Sequence, residues 1–171
     1  VCSLVAGARF AELAYSRRNL AGKSAAEGRW SRRTYPFMVA LHSDVLTETL
    51  FRGGRPRRRW LVLLFGVQPL RAWVLWTLRS RWNARGAVTD DLEVETGGPY
   101  RYVRHPNYAV VAVELFALPM AFGLWRLAVR ATAVNAGLLA LRIPEEERLL
   151  SRRPGYTAHF ARKKRFIPGL F

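Results

Sequence analysis

Two short stretches of this chain concentrate the residues that could do chemistry. The first, Gly97-Gly98-Pro99-Tyr100-Arg101-Tyr102-Val103-Arg104-His105-Pro106-Asn107-Tyr108, joins a Gly-Gly-Pro turn signal to a proline placed to open a helix. His105 precedes that proline and is biased toward extended backbone. A helix beginning at Pro106 offers unbonded backbone N–H groups and the positive end of its dipole, which suit a ligand's carboxylate or phosphate, and Arg101 and Arg104 add to the attraction. The same residues would also suit an interfacial loop, with tyrosines at headgroup level and arginines on lipid phosphate.

The second stretch, Arg142-Ile143-Pro144-Glu145-Glu146-Glu147-Arg148-Leu149-Leu150, sets three consecutive acids in a chain that is otherwise strongly basic. Spacings of seven and four residues place Asn135, Arg142 and Glu146 on one helical face, provided that Pro144 leaves the helix intact. A carboxylate there could accept hydrogen bonds from ribose hydroxyls or an amino group. It could equally pair with Arg142, Arg148, Arg152 or Arg153 at a solvated helix end.

The elements that must position these stretches are apolar. The chain has 171 residues, a formal charge of +16, 50% hydrophobic residues and six tryptophans, a combination that excludes disorder as the main state and leaves room for one domain. Its one cysteine, Cys2, excludes an internal disulfide and a Cys-based zinc site. The basic residues gather at 17–33, 52–59, 79–104 and 142–165, with greasy segments between them. Residues 60–78 carry only Arg71 as a charge and are long enough to span hydrocarbon, with Pro69 as a kink. Residues 109–125 and 127–141 carry one charge each, Glu114 and Arg130, and at 1.5 Å per residue make about 23 to 26 Å each. Gly123 and Arg126 mark the turn between them. Residues 34–51 are a weaker span, interrupted by His42, Asp44 and Glu48, and are expected partly in the interface. Residues 1–15 are apolar apart from Arg9 and Glu12; the chain does not begin with Met, so a first span is expected to be clipped, and no signal-peptide pattern is visible.

The expected fold is therefore all-α: an integral membrane helical bundle of about four to five transmembrane helices in a single domain, 1–171. N-terminal helices occupy 1–96, and a helical hairpin and tail follow in 97–171. Topology is contradictory at one point, because the basic loops at 17–33 and 52–59 fall on opposite faces if 34–51 spans. The final hairpin is simpler. It brings 79–105, with five Lys and Arg, and 142–171, with eight, to one side, which the positive-inside rule assigns to the cytoplasm.

The two stretches, as Gly-Pro-Tyr-x-x-x-Arg-His-Pro-x-Tyr and Arg-Ile-x-x-Glu-Glu-x-x-Leu, are followed by Gly155-Tyr156 and the basic tail Arg162-Lys163-Lys164-Arg165-Phe166-Ile167-Pro168. Together, over 97–168, they closely resemble the isoprenylcysteine carboxyl methyltransferase family, which is related to the membrane phospholipid methyltransferases. The resemblance implies an integral membrane enzyme that transfers a methyl group from S-adenosylmethionine to a lipophilic or prenylated acceptor, with its cofactor site facing the cytoplasm. It implies that His105, Pro106 and Tyr108 belong to the cofactor-binding motif and that Glu146 and Glu147 are the family's acidic pair. Tyr100, Asn135 and Arg142 join them as cofactor-binding candidates, and Arg104 with the helix starting near Pro106 would hold the methionine carboxylate. Pro144, just before the acidic pair, and His159 and Phe160, where relatives often have a second Tyr, depart from the pattern.

Methyl transfer from a sulfonium is an in-line displacement, so the protein must align acceptor and donor and exclude water. A carboxylate acceptor is already ionised near neutral pH; a phenol needs a base or a lowered pKa. Arg71 and Glu114 are ionisable groups inside expected spans, where charge is costly. They are the catalytic candidates, Arg71 steering an anionic oxygen or Glu114 accepting a hydroxyl proton, unless they simply pair with each other. The competing readings are a nucleic-acid binder, suggested by Arg52-Gly53-Gly54-Arg55-Pro56-Arg57-Arg58-Arg59, and a basic membrane protein without catalysis. The long apolar runs argue against nucleic acid. His42, His105 and His159 are too scattered to suggest a metal site, so none is expected.

Overall fold

The computed structural model describes residues 1–89 and 93–169. Helix α1 (Cys2–Leu20) runs toward one end of the molecule, and α2 (Arg29–Arg52) returns. Helices α3 (Arg58–Gly66) and α4 (Gln68–Leu78) form one broken pass back, continued by a short 3-10 turn at Arg79–Arg81. Helix α5 (Pro106–Ala121) then descends and α6 (Trp125–Leu150) climbs to a short α7 (Tyr156–Phe160). Two-residue strands, β1 (Ala25–Ala26) and β2 (Val88–Thr89), pair antiparallel beside the loop ends.

Sequence periodicity explains the packing. In α2 the buried residues Thr34, Met38, Leu41, Val45 and Thr49 recur every three or four positions, as a helix with one inward stripe requires. Helix α5 buries Val111, Leu115 and Leu118 against Leu41 and Val45 of α2, Leu64 of α3, and Leu127 and Ala131 of α6. It is the central helix, and Val110, Ala117 and Ala121 within it have no exposed surface. The outer faces are greasy instead: Phe10 is 72% exposed, Phe51 80% and Trp76 73%. Large apolar side chains exposed on several helices suit hydrocarbon as their solvent.

Two passes, Arg58–Arg81 and Trp125–Leu150, are long and apolar enough to cross a membrane; α5 is apolar but has 16 residues. The expected kink in the first of these lies at the junction of α3 and α4. Pro69 has no N–H to offer the Phe65 carbonyl, and the side-chain Nε2 of Gln68 donates to the neighbouring Leu64 carbonyl at 3.0 Å.

Residues 34–51 fall within the 24-residue α2, and the acids that interrupt their apolar pattern, Asp44 and Glu48, pair with Arg130 of α6 at 2.7 and 2.6 Å. Pro144 leaves the helix intact: α6 continues through it to Leu150 and carries all three acids on its last turns. The two basic loops lie at opposite ends of α2. The 52–57 loop meets the turn at 122, where Gly54 N–H bonds the Phe122 carbonyl at 2.9 Å. The 21–28 segment lies at the other end, where Asn19 holds the carbonyls of Arg79 and Trp82 at 3.0 and 2.8 Å.

Candidate functional site

At that second end, the acids of α6 each grip a different piece of chain. Glu145 accepts the backbone N–H groups of Arg29, Trp30 and Ser31 at 2.8, 2.7 and 3.2 Å, so it caps the N-terminus of α2 from another helix. Nothing in local spacing announces that contact. Glu146 accepts the Tyr108 hydroxyl and lies 3.9 Å from Arg142 Nε. Glu147 accepts His105 Nε2 at 3.1 Å and a forked bond from Arg165 at 2.8 and 3.1 Å, with Arg104 at 3.5 Å.

The motif loop is thereby closed onto the tail. The N–H groups of Arg104 and His105 bond the Lys164 and Arg165 carbonyls at 2.9 and 2.8 Å, and Arg104 Nε bonds the Lys163 carbonyl at 2.9 Å. His105 caps α5, Pro106 takes its first position, and the His105 and Tyr108 rings stack with centroids 5.3 Å apart. The Arg142 guanidinium sits over the Tyr108 ring at 5.7 Å and bonds the Ala84 carbonyl at 2.9 Å.

These groups wall a cavity. Tyr100, Arg104, His105, Tyr108, Arg142 and Glu146 line it, whereas Pro106, Asn135 and Glu147 do not. Pro106 is buried at the helix start behind the wall, and Asn135 lies buried two turns down α6 from Arg142. The opposite wall is the segment after the 3-10 turn, including Trp82, Ala84, Gly86 and Ala87. That segment is tied down by Asn83, whose amide closes both ways on Ala87, and by Ser16, which accepts the Ala84 N–H at 2.9 Å. Gly86 has φ of +66°, and a Cβ there would stand 2.6 Å from Arg142 Nη2. Tyr156 and Phe160 of α7 complete the lining, so the departure at Phe160 puts an apolar ring in the cavity wall.

The cavity holds polar atoms that the protein leaves unbonded. Trp82 Nε1, Asn107 Oδ1, Arg142 Nε and Tyr156 OH are buried without a hydrogen-bond partner among the described residues, and all four residues line it. An unmet buried donor costs about 1 to 3 kcal/mol, so such a set fits a ligand rich in polar groups. Burial raises the Tyr156 phenol to about 12 and lifts Tyr100 further above its ordinary value, with Glu147 and Glu146 as the next causes respectively. Both therefore remain neutral donors near pH 7. Trp82, Tyr156 and the segment that contains Gly86 gave no sequence signal beyond the Gly155-Tyr156 match, since each depends on a fold contact.

A second, mostly apolar cavity opens between α1 and α2 and shares Trp82, Ala84, Asn107 and Tyr108 with the first. Arg71 lies on its wall. The catalytic candidates meet there in one network: Arg71 bonds Glu12 of α1 and lies 3.3 Å from Glu114, which also accepts Arg9 at 3.3 Å and Gln68 at 2.8 Å. Arg71 and Glu114 do pair, within a set of two arginines and two glutamates. Among the described residues no group of three or more metal-ligating side chains comes together.

The model of the isoprenylcysteine carboxyl methyltransferase family matches residues 60–152. The chain belongs to this family. The match takes in both gripping stretches and the central hairpin that joins them. The chain is also 30% identical over 152 residues to an uncharacterized protein, YpbQ, of Bacillus subtilis (strain 168), covering 83% of this chain and 89% of the relative. Family membership and the apolar passes make the chain an integral membrane protein of a methyltransferase family.

Proposed function

We propose that this chain transfers the methyl group of S-adenosylmethionine to an oxygen of a lipophilic acceptor. The observation that carries the reading is the shared wall: a polar cavity with unmet donors adjoins an apolar one across Tyr108, Asn107, Trp82 and Ala84. A water-borne cofactor and a bilayer-borne acceptor need that pairing of environments.

When bound, the cofactor supplies an electrophilic methyl on a sulfonium. The chain's part is to hold, orient and dry it. Glu146 and Asn107 offer acceptors to its hydroxyls or amino group, and Arg104 and the first turn of α5 favour its carboxylate. Tyr100, Arg142 and Tyr156 offer donors, and Tyr108 with Arg142 bounds the passage to the acceptor. His105 stacks on Tyr108 in the wall itself, and Pro106, Asn135 and Glu147 position these groups from behind. Arg71, with Arg9, gives the acceptor cavity a cationic wall, which Glu114 and Glu12 balance. The acceptor is the carboxylate of an isoprenylcysteine-like molecule or the hydroxyl of a phenolic or polyketide lipid. The basic ends of the hairpin put the cofactor cavity on the cytoplasmic side.

Equilibrium binding of methyl-labelled S-adenosylmethionine to the detergent-solubilised chain tests the reading. Saturable binding that falls at least tenfold in Glu146→Gln is expected; no binding by the intact chain overturns it. Mild alkali applied to the labelled product then separates an ester, which releases methanol, from an ether.

A further inference from the structure

The apolar cavity contains one imidazole beside the arginine–glutamate network. His42 lines it together with Phe10, Leu13, Val39 and Leu46. Its Nδ1 lies 2.7 Å from the Met38 carbonyl oxygen, which can only accept, so the proton of the neutral ring sits on Nδ1 and Nε2 carries a lone pair. The Nδ1 contact is the ring's one hydrogen bond among the described residues. Met38 itself touches Arg142 Nη1 at 3.1 Å, so His42 stands one turn of α2 beyond the cofactor cavity's edge.

We infer that His42 is the base that takes the proton from the acceptor, and that the acceptor is a weakly acidic hydroxyl on an alkyl chain, an enol or a phenol. This rests on the methyltransferase reading above. A carboxylate needs no base, and it would meet the Nε2 lone pair unfavourably. In the step, the acceptor O–H bond breaks and its proton passes to Nε2. The oxygen's pair forms the new O–CH3 bond, and the old S–CH3 pair stays on sulfur, leaving a neutral thioether. Product release lets the imidazolium return its proton to solvent. Arg9 Nε, buried without a partner, faces the same network and favours the developing oxyanion.

The charged and titratable groups around His42 are Arg9 and Glu12 of α1, Tyr35 of α2, Arg71 of α4, and Tyr108 and Glu114 of α5.

The test uses 4-dodecyl-2-nitrophenol, whose yellow phenolate absorbs apart from its phenol, with the full chain in detergent and no cofactor. Bound probe should ionise about tenfold more readily than in empty micelles, and His42→Gln should abolish that difference. With cofactor, His42→Gln should slow probe methylation at least ~100-fold and remove the acidic limb of the pH profile. Cofactor affinity should stay within about twofold, which also reports that the variant is folded. Unchanged probe ionisation in the intact chain, or a variant that keeps rate and acidic limb, overturns the inference. So does methylation of a dodecyl carboxylate in preference to the phenol. Failure of the intact chain to bind cofactor overturns the methyltransferase reading instead.

Discussion

Oε1 of Glu147 lies 3.1 Å from Nε2 of His105 although 42 residues separate them, and the same carboxylate holds Arg165 of the tail. Its oxygens are taken up by protein donors, so Glu147 acts as a clamp between loop and tail. Glu147→Gln should destabilise the fold by about 1 to 3 kcal/mol, because a charged acceptor is lost while its donors stay in place. The check is thermal unfolding in detergent together with tryptic cleavage at Arg162–Arg165, which should become faster.

Glu145 should separate from its neighbours. It caps α2, so Glu145→Ala should cost about 0.5 to 2 kcal/mol of stability with cofactor affinity nearly unchanged. Glu146→Gln should do the reverse, losing affinity with little change in melting. Paired melting and binding curves on the two variants decide this; identical behaviour would contradict separate roles for the acids.

Gly86 offers a steric test of the cavity wall. An alanine there meets both a left-handed φ and the Arg142 guanidinium, which would have to move off the Tyr108 ring. Gly86→Ala should weaken cofactor binding at least ~10-fold, measured by the same labelled-ligand titration. Gly137, whose Cβ would meet nothing, serves as the neutral control.

The buried phenols fix a pH dependence. Tyr156 is raised from 10.0 to about 12 by burial, with Tyr100 shifted the same way, so the folded state favours the neutral phenols. The contribution of Tyr156 to stability is complete below pH 10 and lost as pH rises through about 12, and that of Tyr100 persists to higher pH. Absorbance of tyrosinate should show these two rings ionising only with alkaline unfolding, and Tyr156→Phe should remove one of them from that phase.

The Arg71 network should respond to removal of either sign. Arg71→Met leaves Glu12 and Glu114 under-compensated in a buried setting and should cost about 3 to 5 kcal/mol. Glu114→Gln should also destabilise, while cofactor affinity changes by less than about threefold. Melting curves with and without S-adenosylmethionine measure both.

The sequence by itself determined the helical passes, because hydrophobicity and helix signals are local: the Gly-Gly-Pro turn, Pro106 at a helix start and the apolar runs all read within a few residues. It also placed His105, Tyr108, Glu146 and Glu147 among the site candidates, because two compact motifs hold them. Tertiary structure alone decided which acid does what, since Glu145, Glu146 and Glu147 are adjacent in the chain and project at about 100° to one another toward three different elements. It alone brought Trp82, Gly86 and Tyr156 to the cavity and His42 to the apolar one. Those placements depend on which helix faces meet, and the energy that fixes them comes from contacts between residues far apart in the chain.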